Sequence, residues 1–280
     1  TGLPTWTSQG DLNFVLGAGH GEFLRGGLTP GDVREHFLLA KLAVALAEKY
    51  QLPVLIMSDK YILESLQSIP KMTLELENTR FSMLNDGQLG ENTLKEGEYL
   101  RYKVTEDGIS LRSIPGQNHA YQLSNSYEHD EYGFATEDAK ETKKAVEKRA
   151  AKLAALKQDL PKPLYLGAKN PQQIFISFGS TINVLRDVLL DDAAKNIAVI
   201  HLPCIYPFPS EELEALLAGK NAEAFVVEGN ATAQLAALIR RETKLQNLRS
   251  ILRYDGRPFY SEDLIDFLKT QKLDQQYKLI

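Results

Sequence analysis

One cysteine, Cys204, is all the thiol chemistry that 280 residues offer. A lone thiol cannot close a disulfide within the chain, nor supply the clustered thiolates that hold an iron-sulfur cluster or a structural zinc. Any such centre is therefore expected in a partner chain. Long apolar runs are also missing: the best stretches, 53–57 and 197–200, are far shorter than the ~20 residues of a spanning helix, and no basic-then-apolar leader opens the sequence. The expectation is a cytoplasmic chain with no membrane partner. Positive charge is not in excess either. Lys and Arg total 32 against 37 Asp and Glu, a net charge of -5, which gives no electrostatic reason to expect nucleic acid. A starting Met is absent too, and Thr1-Gly2-Leu3-Pro4-Thr5 reads as a loop from inside a domain, so further sequence is expected before it.

What is present is the profile of a globular protein, 43% hydrophobic and 25% charged, long enough for two domains that each bury a core. Over 32–50 the apolar residues Val33, Phe37, Ala40, Val44 and Ala47 recur every three or four positions behind Pro30, which predicts an amphipathic helix. The run 52–58 reads as a buried parallel strand, followed by a helix over 59–66. From about 73 to 133 the pattern weakens into an irregular arm, with Tyr99, Tyr102 and Val104 suggesting strand. The stretch 136–160 opens on Glu137 and Asp138 and carries seven basic residues, predicting a long exposed helix with a solvated face that links two domains. After Pro161, strands 174–178, 197–202, 224–228 and 250–253 alternate with helices 182–190, 210–217, 232–241 and 261–268. That alternation implies a parallel sheet covered on both faces.

No single motif amounts to an active site. Gly17-Ala18-Gly19-His20-Gly21 has its third glycine one place too early for a dinucleotide loop and no clear strand before it. Gly179-Ser180-Thr181 follows a strand and opens a helix, where amides can hold an anion, yet a lone glycine there is more often only a tight turn. Glu128-His129-Asp130-Glu131 reads as a polar loop, because consecutive side chains diverge rather than converge on a metal. His201, at a strand end, reads as a hydrogen-bonded structural histidine, and Cys204 as a buried inert thiol.

Taken in order, the segments carry more. Thr1-Gly2-Leu3-Pro4-Thr5, Gln9-Gly10-Asp11-Leu12, His20-Gly21-Glu22, Ser58-Asp59-Lys60-Tyr61, Ile114-Pro115-Gly116 and Glu128-His129-Asp130-Glu131-Tyr132-Gly133 succeed one another in the first half. Gly179-Ser180-Thr181, Tyr206-Pro207-Phe208-Pro209, Glu228-Gly229-Asn230 and Asp255-Gly256-Arg257-Pro258-Phe259 follow in the second. This series resembles the alpha subunit of the 2-oxoacid:ferredoxin oxidoreductases, the 2-oxoglutarate branch above all, across nearly the whole chain.

The resemblance implies an α/β chain. Residues 1–135 would be the remainder of a pyrimidine-type domain of a thiamine diphosphate enzyme, with its irregular arm, 136–162 a linking helix, and 163–280 a parallel-sheet domain like the transketolase C-terminal one. It implies oxidative decarboxylation of a 2-oxoacid, 2-oxoglutarate foremost, to its acyl-CoA, with ferredoxin as electron acceptor and coenzyme A as co-substrate. Thiamine diphosphate would be shared with a beta subunit that carries magnesium and the iron-sulfur cluster, none lying in this chain, and a gamma subunit or domain is possible. Thr5 is the residue expected at the substrate carboxylate, with Thr1, Gly2, Pro4, Gln9 and Asp11 in a cofactor or interface loop; the competing role for Thr5 is to cap a turn or the helix starting near Gln9. The sequence departs from the family pattern in one respect. The glutamate that activates the aminopyrimidine and an arginine near the substrate carboxylate belong to a segment before Thr1. Two other readings therefore stand beside the first: a purely structural docking subunit, and a transketolase-like enzyme without redox chemistry.

Overall fold

The computed structural model describes residues 5–70 and 94–280. The first elements are α1 (Leu12–Gly17), β1 (Gly26–Leu28), α2 (Val33–Tyr50), β2 (Val54–Ile56) and α3 (Lys60–Leu63). The Asp32 side chain accepts from the Glu35 amide at 2.8 Å, which fixes the start of α2. Leu39, Ala43, Leu46 and Tyr50 then form its buried stripe, and Gln51 ends it in the left-handed conformation at φ 52°.

The stretch 94–138 is built of turns, and the strand expected around Tyr99, Tyr102 and Val104 does not form. Side chains satisfy its backbone in place of a ladder. The Tyr99 hydroxyl donates to the Leu111 carbonyl and accepts from the Ser113 amide, while the Asp130 carboxylate accepts from the amides of Tyr132, Gly133 and Phe134. The long helix follows as α4 (Ala139–Asp159), capped by Asp138 through the amides of Lys140 and Glu141. The expected exposed helix also carries a buried seam: Lys152 and Leu156 are buried, and Leu156 packs with Leu39, Leu46, Tyr50 and Cys204. A basic composition concealed one apolar seam.

The remainder runs β3 (Leu164–Gly167), β4 (Gln173–Phe178), α5 (Thr181–Val188), a 3-10 turn (Asp192–Ala194), β5 (Ile197–Leu202), β6 (Cys204–Tyr206), α6 (Ser210–Leu217), β7 (Glu223–Glu228), α7 (Gln234–Glu242), β8 (Leu248–Arg253), α8 (Ser261–Thr270) and β9 (Tyr277–Leu279). Six of these strands make one sheet in the order β3-β5-β4-β7-β8-β9. The inner four are parallel, and the two edge strands antiparallel to their neighbours. Alternate residues of one strand feed opposite cores: Ile174, Ile176 and Phe178 of β4 meet Leu213, Leu235 and Leu238, whereas Phe175 meets Ile182, Leu185 and Phe267. Both faces are apolar, which is why the parallel strands read as continuous apolar runs. A second sheet, β2-β1-β6, joins the two halves of the chain, because β6 leaves the large sheet just after β5 and pairs antiparallel with β1. No helix among the described residues is long and apolar enough to cross a membrane.

Candidate functional site

The loop preceding α1 lies across the carboxyl ends of β4 and β7, the place where parallel sheets present ligand sites. Gln9, only 6% exposed, pins it there. Its backbone amide donates to the Gly229 carbonyl at 2.8 Å and its Nε2 to the Phe178 carbonyl at 2.9 Å. Its Oε1 accepts from the Gly229 amide at 2.8 Å and the Thr181 hydroxyl at 3.2 Å. The Asn230 side chain adds a bond to the Gln9 carbonyl. Five bonds thus hold one buried side chain and its backbone, so the loop has a fixed position before any ligand arrives.

Gly179 turns at φ 58° beneath this clamp, and a Cβ there would stand 3.0 Å from Gln9 Nε2. The following amide, of Ser180, faces the Asp59 carboxylate at 3.4 Å, and the same carboxylate caps α3 through the Ile62 amide. The strand-to-helix turn is therefore supplied with an anion by the protein itself.

Two shallow clefts flank the loop. One is lined by Ser8, Gln9, Asp11, Ser58, Asp59 and Gly179, the other by Thr7, Tyr61, Ser180, Thr181, Arg257 and Pro258 among others. Each holds about 20 Å³, against the ~300 Å³ or more of a drug-sized ligand pocket, so neither encloses a cofactor by this chain alone. Arg257 lies 3.5 Å above the Trp6 ring, fixing a guanidinium beside the second cleft.

Of the residues singled out from the sequence, Thr5 is exposed in the turn that leads into this loop. Gln9 is the buried clamp, and Asp11 is exposed at the start of α1 without a capping bond from its side chain. Thr1, Gly2 and Pro4 lie outside the described residues. Asp59 and Arg257 stand out only as parts of longer family-like segments; a sharp polar turn directly after a strand was the available signal for both.

The other candidates are held by structure. Glu228 is fully buried and accepts from the amides of Leu235 and Ala236 and from Asn230 Nδ2 at 2.6 to 3.1 Å. Burial raises its pKa, against the lowering effect of these donors. His201 is fully buried, with Nε2 3.0 Å from Glu35 Oε2. Burial opposes ionisation of Glu35, but His201, the Gly31 amide and Arg186 outweigh it and bring the carboxyl down to about 2. Cys204 is buried, and desolvation pushes its thiol up to about 12, the state of an unreactive cysteine. Among the described residues no group of His, Cys, Asp and Glu is arranged to hold a metal ion.

Comparison with known proteins places this geometry. The family described as pyruvate flavodoxin/ferredoxin oxidoreductase, thiamine diphosphate-binding, matches residues 1–148. The 2-oxoacid:ferredoxin oxidoreductase 1 alpha subunit of Sulfurisphaera tokodaii is 35% identical over 271 residues, covering 96% of this chain and 42% of that protein. The 2-oxoglutarate synthase subunit KorA of Methanocaldococcus jannaschii is 23% identical over 223 residues, covering 79% of this chain and 57% of that one. The solved 2-oxoglutarate:ferredoxin oxidoreductase from Magnetococcus marinus, with 2-oxoglutarate, coenzyme A and succinyl-CoA bound, matches with a TM-score of 0.82 at 28% identity, over 95% of this chain and 45% of that one. The chain thus spans less than half the length of the Sulfurisphaera alpha subunit and of the solved Magnetococcus chain. Over that span the ordered motifs, the mixed α/β sheets and the matching thiamine-diphosphate-binding model agree, and the chain belongs to the 2-oxoacid:ferredoxin oxidoreductase alpha-subunit family.

Proposed function

We propose that this chain is the substrate-facing part of an alpha subunit that oxidatively decarboxylates a 2-oxoacid, 2-oxoglutarate foremost, to its acyl-CoA and passes the electrons to ferredoxin. The observation that carries the reading is the Gln9 clamp, which sets a polar loop at the carboxyl ends of β4 and β7 with open clefts on either side. Those clefts fit one wall of a thiamine diphosphate site and are too small for a whole one. When bound, that cofactor supplies the carbanion chemistry that protein side chains lack. A beta subunit completes the enclosure and carries the magnesium ion and iron-sulfur cluster, a gamma subunit or domain is a further possible component, and the assembly is cytoplasmic. The division into units 1–135, 136–162 and 163–280 belongs to the same reading.

The tasks left to this chain's residues are binding, orientation and exclusion of water. Thr5, exposed on the clamped loop, offers a hydroxyl donor to the substrate carboxylate. Thr1, Gly2 and Pro4 belong to the same stretch in this reading, and Asp11 to its far end. The exposed apolar side chains of Phe14 on α1, Leu63 on α3 and Leu66 just beyond it suit burial against the beta subunit.

Substitution of Thr5 tests the proposal in the assembled enzyme. Thr5→Ala is expected to lower kcat/KM for the 2-oxoacid by about 1 to 3 kcal/mol, the value of a hydrogen bond to a charged group, while assembly survives. Unchanged kinetics in a normally assembled variant would remove Thr5 from the substrate site and favour the docking-subunit reading.

A further inference from the structure

A cavity of about 190 Å³ near the irregular arm opens between α4 and the turns at 101–131, past the carboxyl end of α2. It shares no residue with the clefts beside the Gln9 loop. Arg101, Tyr102, His129, Lys144, Lys148 and Lys152 are among its lining residues. Lys148 and Lys152 are four apart on α4 and so project from the same face.

Five cations line this cavity, Arg101, Lys144, Lys148, Arg149 and Lys152, against three lining carboxylates, with Asp107 acting on Lys152 from outside the lining. Its carboxylates are already engaged: Asp130 by three backbone amides, Glu131 by the Val104 amide, and Glu141 by Lys144. Arg149 has its own partner in Glu128, through two bonds of 3.0 and 2.6 Å. Lys148, Lys152 and Arg101 have no carboxylate within 4.0 Å among the described residues. Lys148 donates to the Tyr102 carbonyl and the Ser110 hydroxyl, and Lys152, 8% exposed, to the Tyr50 carbonyl alone. Arg101 makes a ring contact with Tyr102 and no hydrogen bond among the described residues. Most of the donors of these three cations are therefore unspent, in a place where unpaired charge is costly.

We propose that this cavity binds a phosphate dianion, either free or as the terminal group of a small phosphomonoester. Tetrahedral phosphate oxygens, each able to accept several hydrogen bonds, can take the unspent donors of Arg101, Lys148 and Lys152 together. The volume admits a small ligand, below the ~300 Å³ of a drug-sized site. The Tyr102 and His129 rings, 3.9 Å apart between centroids and tilted by 38°, both line the cavity and offer an apolar surface to an ester's carbon chain. Burial first, and then the neighbouring cations, bring Lys148 and Lys152 each down to about 8, against the raising effect of Glu131 on Lys148 and of Asp107 on Lys152.

The test is calorimetric titration of the native protein containing this chain, with inorganic phosphate and separately with glycerol phosphate, at fixed ionic strength and near-neutral pH. Saturable binding of either is expected, roughly tenfold to a hundredfold weaker in Arg101→Gln and in Lys148→Met. Tighter binding of the ester identifies a phosphomonoester site, and equal binding a site for the free ion. Arg101→Gln keeps the test falsifiable should Lys148→Met fold poorly, since Arg101 holds no hydrogen bond among the described residues, and an unchanged melting temperature in phosphate-free buffer verifies its integrity. Absence of saturable binding in the wild type, or equal affinity in wild type and Arg101→Gln, overturns the proposal.

Discussion

Gln9 shows how much one buried amide can decide. Its side chain is donor to Phe178 and acceptor from Gly229 and Thr181, so Gln9→Ala strands a buried carbonyl and a buried amide at once. We expect a loss of about 2 to 4 kcal/mol in stability by urea titration, and a fall in turnover because the loop bearing Thr5 loses its mooring. The sequence placed Gln9 in a functional loop, but its role was not legible, since its partners lie some 170 and 220 positions away. Local pattern carries no trace of such contacts. Glu35 gives a prediction in pH. Its carboxyl, brought from 4.5 to about 2, stays ionised in the folded chain under conditions that protonate it when unfolded. Its stabilisation is therefore complete above pH 4.5 and lost as pH falls towards 2, by up to about 3 kcal/mol. Urea midpoints of wild type and Glu35→Gln should converge over that interval; a gap that stays constant with pH would contradict the assignment.

Elements with strong periodicity were the legible ones. The strands β4, β5, β7 and β8 announce themselves as short apolar runs because both sheet faces are covered, and α6 is found at its predicted bounds because Pro209 and an acidic first turn mark its start. The three-residue strands β1, β6 and β9 and the four-residue β3 were missed, since runs that short show no period and form only where a neighbour offers a ladder. The reverse error, a strand expected near Tyr99, arose where aromatic residues serve turns instead of a sheet. For α7 the deciding residue lies on the preceding strand: Glu228 satisfies the amides of Leu235 and Ala236, while Ala233 before the helix caps nothing with its side chain. Glu228→Ala should cost about 2 to 4 kcal/mol in chemical denaturation and expose the first turn of α7 to faster amide exchange. Protection unchanged at Leu235 and Ala236 would show that the helix start does not depend on Glu228.

Among the described residues two sheets are linked where the chain passes from β5 to β6, which ties the loop-bearing first half to the end of the large sheet where Gln9 is clamped. This arrangement explains why the candidate site was only partly readable. Family motifs pointed to the opening loop, while the surface completing it comes from the carboxyl ends of strands nearly two hundred residues later. Clefts of about 20 Å³ and exposed apolar side chains also explain why the chain by itself offers a wall and not an enclosure. The measurement that tests the central claim most directly is the initial rate of ferredoxin reduction by the native assembly containing this chain, with 2-oxoglutarate and coenzyme A each supplied and withheld. The account predicts reduction that requires both, accompanied by acyl-CoA formation, and no reduction by this chain alone. Consumption of the 2-oxoacid with no electrons delivered to any acceptor would contradict it and place the chain with enzymes that transfer carbon units without redox chemistry.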